Sequence, residues 1–494
     1  MLKNFIKNKK FGYFIDNEWR EPKSQEYIKV FSPIDNSLVG ELPSVSKEEI
    51  DDVIKSSEIG FNFWRKKTTD DKVKVLKKAA SLIRGNATDL TNLIIEEVGK
   101  PYNESYDEVI RTADLIDFYA EEGRRVLGEV LYSDSFPGFS KTKKAIAERV
   151  PIGIVVAIPP FNYPLNEAVP KIVGAIIAGN SVILKSPSQG GITCMVIGEI
   201  FRLSGLYNGV LNIVAGSNEI AGDYLLSSEK ISAINFTGST NTAIHIQQVL
   251  ASRKTVYPTI LLGLSGKDSA IVLKDADLDK AVEEIANGAF SYSGQRCTAI
   301  KKVIVENDIA DKFCEKITKV VKDYFVMGNP RDKKNTIGPV INDKTVSFFN
   351  ELKKDAIDKG AKIILSGEDN GRYLYPVILD NVSNNMRISW EEPFAPILPI
   401  VRVNDLYEAL DIANSSDYGL QSSIFTENIE KAFIAAESLD VGNVQINGKD
   451  SRGPDNFPFN GVKKSGIGNI QGAKYLIESM TRIKTTVINF KEND

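Results

Sequence analysis

The chain has 494 residues, 42% of them apolar and 26% charged, with a formal net charge of −4. That length accommodates two or three domains with hydrophobic cores, and so slight an acidic balance, without any basic block, argues against a nucleic-acid footprint. Three widely spaced cysteines (Cys194, Cys297, Cys314) make neither a disulfide framework nor a zinc site, and a single histidine, His245, argues against His-based metal centres and most His-assisted hydrolases.

The N-terminal MLKNFIKNKKFGYFIDNEW has positive charge but no apolar stretch behind it, unlike a signal peptide. No run approaches the roughly 20 apolar residues of a membrane span. A reducing, cytoplasmic setting is the expectation. FGYFIDNEW and YIKVFSP read as short strands. Residues 46–130 read as mostly helical, because KEEIDDVIKSSEIGFNFW and DDKVKVLKKAASLIRGNATDLTNLIIEEVGK repeat apolar residues at three- and four-residue spacing.

From Val150 the pattern changes. PIGIVVAIPP, NSVILKSP, GVLNIVAG, ISAINFTGST and TVYPTILLGL are apolar, β-branched runs, separated by helical stretches such as ITCMVIGEIFRLSG and SNEIAGDYLLSS. This alternation predicts an α/β fold around a buried parallel sheet. Such sheets bind ligands at the carboxyl ends of their strands, which makes Asn162, Lys185, Gly216 and Thr237 candidates for ligand contact. His245, in NTAIHIQQVL, reads as a surface or packing residue of a helix. A second alternation starts near Asp268. DSAIVL is a strand, LDKAVEEIANGAF a helix with Leu278, Val282, Ile285 and Ala289 on one face, and KKVIVEN a strand. IADKFCEKITKVVKDYF then places Phe313, Ile317, Val320 and Tyr324 along one stripe. Further α/β units run to about residue 470, and the tail RIKTTVINF alternates like an edge strand. There is no internal repeat and no obvious linker, so one compact multi-domain unit is expected.

The sharpest local signal is YSGQRCTAIKKVIV. It sets Cys297 after a Gly-Gln-Arg turn, past a helix and before a strand. Beside Arg296 and near a helix end, its thiol pKa is expected to be lowered, as nucleophilic attack requires. Cys194 and Cys314 lie within apolar helical stripes and read as packing residues.

GQRC resembles the nucleophile segment of the aldehyde dehydrogenase superfamily. PPFNYPLN (159–166), ILKSPSQ (183–189), FTGST (236–240), EEPFAPILP (391–399) and FPFNGVKKSGIG (457–468) resemble that family's other motifs, in order and at matching spacing. The resemblance covers nearly the whole chain. It implies a Rossmann-like cofactor domain (1–130 and 151–262), an α/β catalytic domain (263–472) and a small β oligomerisation element (131–150 and 473–494), in a dimer or tetramer. It also implies a mechanism. Cys297 attacks an aldehyde, the Asn162 amide and the Cys297 backbone N–H hold the oxyanion, and a thioester on Cys297 is hydrolysed to an acid. Lys185, Ser188, Gln189, Gly216, Thr237, Ser239, Glu392 and Phe394 fall on cofactor positions. Gln189 stands where NAD-preferring members carry a glutamate, which favours NADP, with NAD as the other candidate. Asn218 replaces a glycine common in the first turn.

Arg111, Tyr163, Arg296 and Arg452 resemble the substrate-binding residues of the branch that oxidises glyceraldehyde 3-phosphate to 3-phosphoglycerate without phosphorylation, a glycolytic substrate. Arginine forks suit phosphate oxygens. The alternatives are a semialdehyde dehydrogenase, or a scaffold that binds cofactor or sugar phosphate without catalysis.

One departure matters. The family's general base is a glutamate in Glu-Leu-Gly-Gly-Lys, and this chain reads ILLGLSGKDSAIVL, with Gly263 at the glutamate position. Glycine activates no water. Three explanations stand. Another carboxylate such as Glu391, or a water chain, substitutes; or the acyl group passes to coenzyme A; or hydrolysis is impaired. The third is placed first.

Overall fold

A computed structural model describes residues 2–468 and 470–491, and two large sheets organise it. The runs after Val150 form the strands Ile154–Ile158, Ser181–Lys185, Leu211–Val214, Ile231–Thr237 and Thr259–Gly263, all parallel. Three of them are buried along almost their whole length, because helices cover both sheet faces; this is why the sequence shows continuous β-branched runs rather than alternation. Taken in chain order, they lie in space as third, second, first, fourth, fifth. The winding therefore reverses between Ile154–Ile158 and Ile231–Thr237, and at such a point a crevice opens beyond the carboxyl ends. The hairpin of Tyr13–Ile15 and Glu18–Arg20 extends one edge, and Gly466–Ile467 pairs with Thr259–Gly263 at the other.

The predicted helical region comprises Lys47–Trp64, Thr69–Gly85, Ala87–Val98 and Tyr102–Glu122. The first starts at a capping box in which the Ser46 and Glu49 side chains each accept from the other's backbone N–H. Leu76, Ile94 and Ile116 from these helices share one core with Val155, Ile172 and Val196. Cys194 is fully buried there. SNEIAGDYLLSS departs from the expected α-helix: Asn218–Tyr224 is a wide π-helical turn, capped by Ser217 accepting from the Ile220 N–H.

The second sheet begins at Ser269–Val272 and runs parallel through its neighbours Lys302–Glu306 and Gln421–Phe425, with Lys362–Leu365 as its one antiparallel member. Helix Leu278–Phe290 buries Val282, Ile285 and Ala289 against it as expected. Helix Asn307–Tyr324 buries Phe313 and Ile317, but its last turn presents Val321, not Tyr324, which is 70% exposed. Val320 is partly buried against the same core, and Tyr324 is the last residue of the helix.

Gly128–Tyr132, Lys143–Pro151 and Thr481–Asn489 form a separate three-stranded sheet, paired from Thr481 opposite Pro151 to Asn489 opposite Lys143. The tail is an edge strand there, exposing Ile483 and Val487, a surface open to further pairing. Residues 492–494 of the tail lie outside the described residues. Helix Ala473–Ser479, just before it, packs Leu476 and Ile477 into the first core. No helix among the described residues is long and apolar enough to cross a membrane.

Candidate active site

The crevice at the winding reversal is built from the loop that follows Ile154–Ile158. Glu108, on helix Tyr102–Glu122, pins that loop by accepting the backbone N–H groups of Leu165 and Asn166, both at 3.0 Å. Glu108 also pairs with Lys100, and both side chains are fully buried. The Lys100 ammonium lies 3.6 Å from the Tyr163 ring centre and 4.6 Å from that of Tyr292, so Tyr163 is held by a buried cation–π contact. Asn162 Nδ2 donates to the Gln295 carbonyl at 2.9 Å, which ties the loop to the Gly-Gln-Arg-Cys segment. The second Nδ2 hydrogen has no partner in that bond and remains for another acceptor.

Two cavities meet at Cys297. The larger, about 430 Å³, lies over the carboxyl ends of the first sheet; the smaller, about 80 Å³, lies on the side of Arg111, Arg296 and Arg452. Tyr163, Glu167, Thr237, Leu264 and Cys297 line both.

Asn162, Lys185, Ser188, Ser239, Glu392 and Phe394 all line the larger cavity. Ser239 caps helix Thr240–Ala251, accepting from the Thr242 N–H at 3.3 Å, so a helix N-terminus faces this space. That end and the Lys185 ammonium suit phosphate. Glu392 is held by the Gly266 N–H at 3.2 Å and by Lys301 at 3.1 Å. Phe394 meets Phe161 edge to face, with centroids 6.0 Å apart. The chemistry of this set fits a dinucleotide: donors for phosphate, a carboxylate for ribose hydroxyls and aromatic edges for a flat ring.

Two cofactor expectations need correction. Gln189 does not line this cavity. Its Nε2 donates instead to the carbonyls of Phe31, at 3.0 Å, and Glu97. Gly216 is likewise outside the wall, packed toward Val45 and Ala221 with φ of +149°.

The smaller cavity gathers Arg111, Arg296 and Arg452 with Gly263. The three guanidiniums arrive already engaged. Arg111 makes a bidentate pair with Asp455 (Nη2 to Oδ1 at 2.9 Å, Nε to Oδ2 at 3.2 Å) and donates to the Arg452 carbonyl. Arg452 pairs with Glu167, and Arg296 donates to the Gly288 carbonyl. Gly263 ends its strand opposite Thr237 and brings no side chain. Glu391, one expected substitute for the missing carboxylate, lines neither cavity; both its oxygens are taken by Arg387 (2.6 and 3.1 Å).

The expectation of a lowered Cys297 pKa is overturned. Burial, then the charge of Glu167, pushes the thiol up to about 11, against a smaller pull from Lys301. The Arg296 guanidinium, expected to lower it, is turned to the Gly288 carbonyl. A prediction follows for the protein without ligands. Alkylation of Cys297 by iodoacetamide is to rise about tenfold per pH unit from pH 7 to 9, since only thiolate reacts. Peptide mass spectrometry checks it, and a plateau near pH 8 contradicts it.

Sequence reasoning missed Glu167 and Lys171. Glu167 is 9% exposed at the start of helix Ala168–Ala178. Its Oε2 accepts from Lys171 Nζ at 2.8 Å and Thr237 Oγ1 at 3.1 Å. Burial opposes its charge, yet Lys171 and Arg452 outweigh burial and hold it down to about 2. The available signal was a carboxylate amid the apolar run Leu165, Ala168, Val169. Elsewhere, His245 pairs with Asp223 at 2.8 Å on the surface, and Cys314 is buried in the second core. Among the described residues no group of three or more His, Cys, Asp or Glu is placed to hold a metal.

The family model described as aldehyde dehydrogenase family matches residues 19–486. The chain is 45% identical over 481 residues to an NADP-dependent glyceraldehyde-3-phosphate dehydrogenase of Streptococcus equinus, spanning 97% of this chain and 99% of that protein. It is 36% identical to a lactaldehyde dehydrogenase of Methanococcus aeolicus, spanning 97% and 100%. The crystal structure of NADP-dependent glyceraldehyde-3-phosphate dehydrogenase from Bacillus halodurans C-125 complexed with NADP has a TM-score of 0.94 at 40% identity, with 98% of this chain and 100% of that chain covered. The chain therefore belongs to the aldehyde dehydrogenase family.

Proposed function

We propose that this protein oxidises glyceraldehyde 3-phosphate to 3-phosphoglycerate with NADP, through a thiohemiacetal and then a thioester on Cys297. One observation carries the reading: Cys297 sits where a cavity suited to a dinucleotide meets a cavity lined by three arginines. Two relatives and a solved neighbour support the substrate and cofactor, being named NADP-dependent glyceraldehyde-3-phosphate dehydrogenases. With Gln189 turned away, NADP preference rests on Lys185 and Ser188, which stand in the cavity wall.

When bound, NADP supplies the hydride acceptor. The rest is the work of the chain. The Cys297 sulfur attacks the aldehyde carbon, and the free Nδ2 hydrogen of Asn162 is aimed at the oxyanion that forms. Tyr163, locked over Lys100, closes one side of both cavities. Arg111 and Arg452 draw the phosphate, exchanging protein carboxylates for phosphate oxygens. Gly263 contributes nothing to hydrolysis of the thioester.

A panel of a phosphorylated aldehyde, its unphosphorylated counterpart and a carboxylate-ended semialdehyde tests the assignment. The phosphorylated compound is expected to have the highest kcat/KM; preference for the semialdehyde rejects it. Arg111→Ala is expected to raise KM for the phosphorylated aldehyde about 10- to 100-fold, the loss of a charge-assisted hydrogen bond, with kcat nearly unchanged. An equal effect on the unphosphorylated aldehyde contradicts a phosphate-binding role.

A further inference from the structure

The site lacks a carboxylate at residue 263 and holds one that none of its sequence motifs assigns. Glu167 lies directly after the Asn162 loop, at the N-terminus of helix Ala168–Ala178, where a negative charge is favoured. It lines both cavities beside Cys297, and of the charged groups around that thiol it acts on it most strongly. Thr237 donates to its Oε2, and Thr237 is the strand partner of Gly263. Gly263 and Glu167 thus line the same small cavity beside Cys297, with Thr237 between them.

We propose that Glu167 activates the water that hydrolyses the Cys297 thioester, in place of the absent residue-263 carboxylate. The inference rests on the cysteine chemistry proposed above. A Glu167 oxygen takes a proton from water as the water oxygen bonds to the thioester carbon. The tetrahedral intermediate collapses, the carbon–sulfur bond breaks, and Cys297 leaves as thiolate. The acid departs, and Glu167 returns its proton to the thiolate or to solvent. No electrons change hands in this step.

In the free protein the carboxylate is a weak base, because two cations hold it. One of these is expendable. Arg452 faces the smaller cavity and also lies 3.7 Å from Asp455, so an anionic substrate end draws on the same guanidinium. Once Arg452 turns to the substrate, Glu167 keeps Lys171 and Thr237 and becomes more basic. Hydrolysis is thereby linked to occupancy by an anionic substrate.

The test uses the full-length protein with glyceraldehyde 3-phosphate and NADP in single-turnover mixing. NADPH absorbance reports acylation, 3-phosphoglycerate release reports deacylation, and the mass of acid-quenched protein reports the adduct. Glu167→Gln is expected to acylate within a few-fold of the unaltered protein but to deacylate at least about 100-fold more slowly, the usual range for losing a general base. The acyl group then accumulates on Cys297. Hydroxylamine, which attacks a thioester without a base, restores turnover. Glu167→Asp preserves the charge among Lys171 and Arg452 while withdrawing the oxygen, and is expected to slow deacylation at least tenfold; it answers the question should Glu167→Gln not fold. Deacylation at the unaltered rate in either variant overturns the proposal, as does a loss that hydroxylamine does not recover. If the unaltered protein and both variants show no adduct on Cys297, the cysteine chemistry itself falls, and this inference with it.

Discussion

Cys297→Ala is expected to lower turnover by on the order of 10⁵-fold or more, the scale of removing a covalent nucleophile. No other thiol is placed to replace it. Cys194 is fully buried in the first core and Cys314 is 8% exposed in the second, neither at a cavity wall of the site. Cofactor affinity is expected to persist, because Lys185, Ser239, Glu392 and Phe394 do not depend on the thiol. Steady-state assays and a fluorescence titration with NADP check the two halves of this expectation. Activity within tenfold of the unaltered protein places the nucleophile elsewhere.

Asn162→Ala is expected to lower kcat by about 10²- to 10³-fold, the measured scale for losing one oxyanion donor. Its Nδ2 has one hydrogen on the Gln295 carbonyl and one to give. Loss of the first loosens the loop against the nucleophile segment, and loss of the second leaves developing charge unsupported. Asn162→Asp removes both donations at once and sets a buried carboxylate against the Gln295 carbonyl, so it is expected to lose at least as much kcat and to lower Tm as well. Full activity in Asn162→Asp contradicts the oxyanion assignment.

The fold was legible where burial leaves a pattern in the chain. Strands covered on both faces need β-branched residues throughout, so the five runs from Val150 were within reach, whereas the point where their winding reverses was not, because strand order leaves no mark within the runs. The stripe of helix Asn307–Tyr324 held through Phe313 and Ile317 but failed at Tyr324, the last residue of the helix, which periodicity alone does not show to be exposed. The placing of Cys297 between a helix and a strand of the second alternation was legible for the same reason. Its protonation was not. That depends on burial and on Glu167, brought in from 130 positions earlier. Gln189 misled because its orientation is set by carbonyls 158 and 92 positions away, at Phe31 and Glu97. Glu167 itself is a lone charge in an apolar run. Its meaning appears only once Lys171, Arg452 and Thr237 converge on it and Gly263 is seen across the strand.

The most direct test of the account is to mix the protein with glyceraldehyde 3-phosphate and NADP, stop the reaction with acid at milliseconds, and map the adduct by peptide mass. The account predicts an acyl group on the peptide carrying Cys297, formed in step with the first equivalent of NADPH. NADPH formed without any adduct, or an acyl group on a residue other than Cys297, would contradict it.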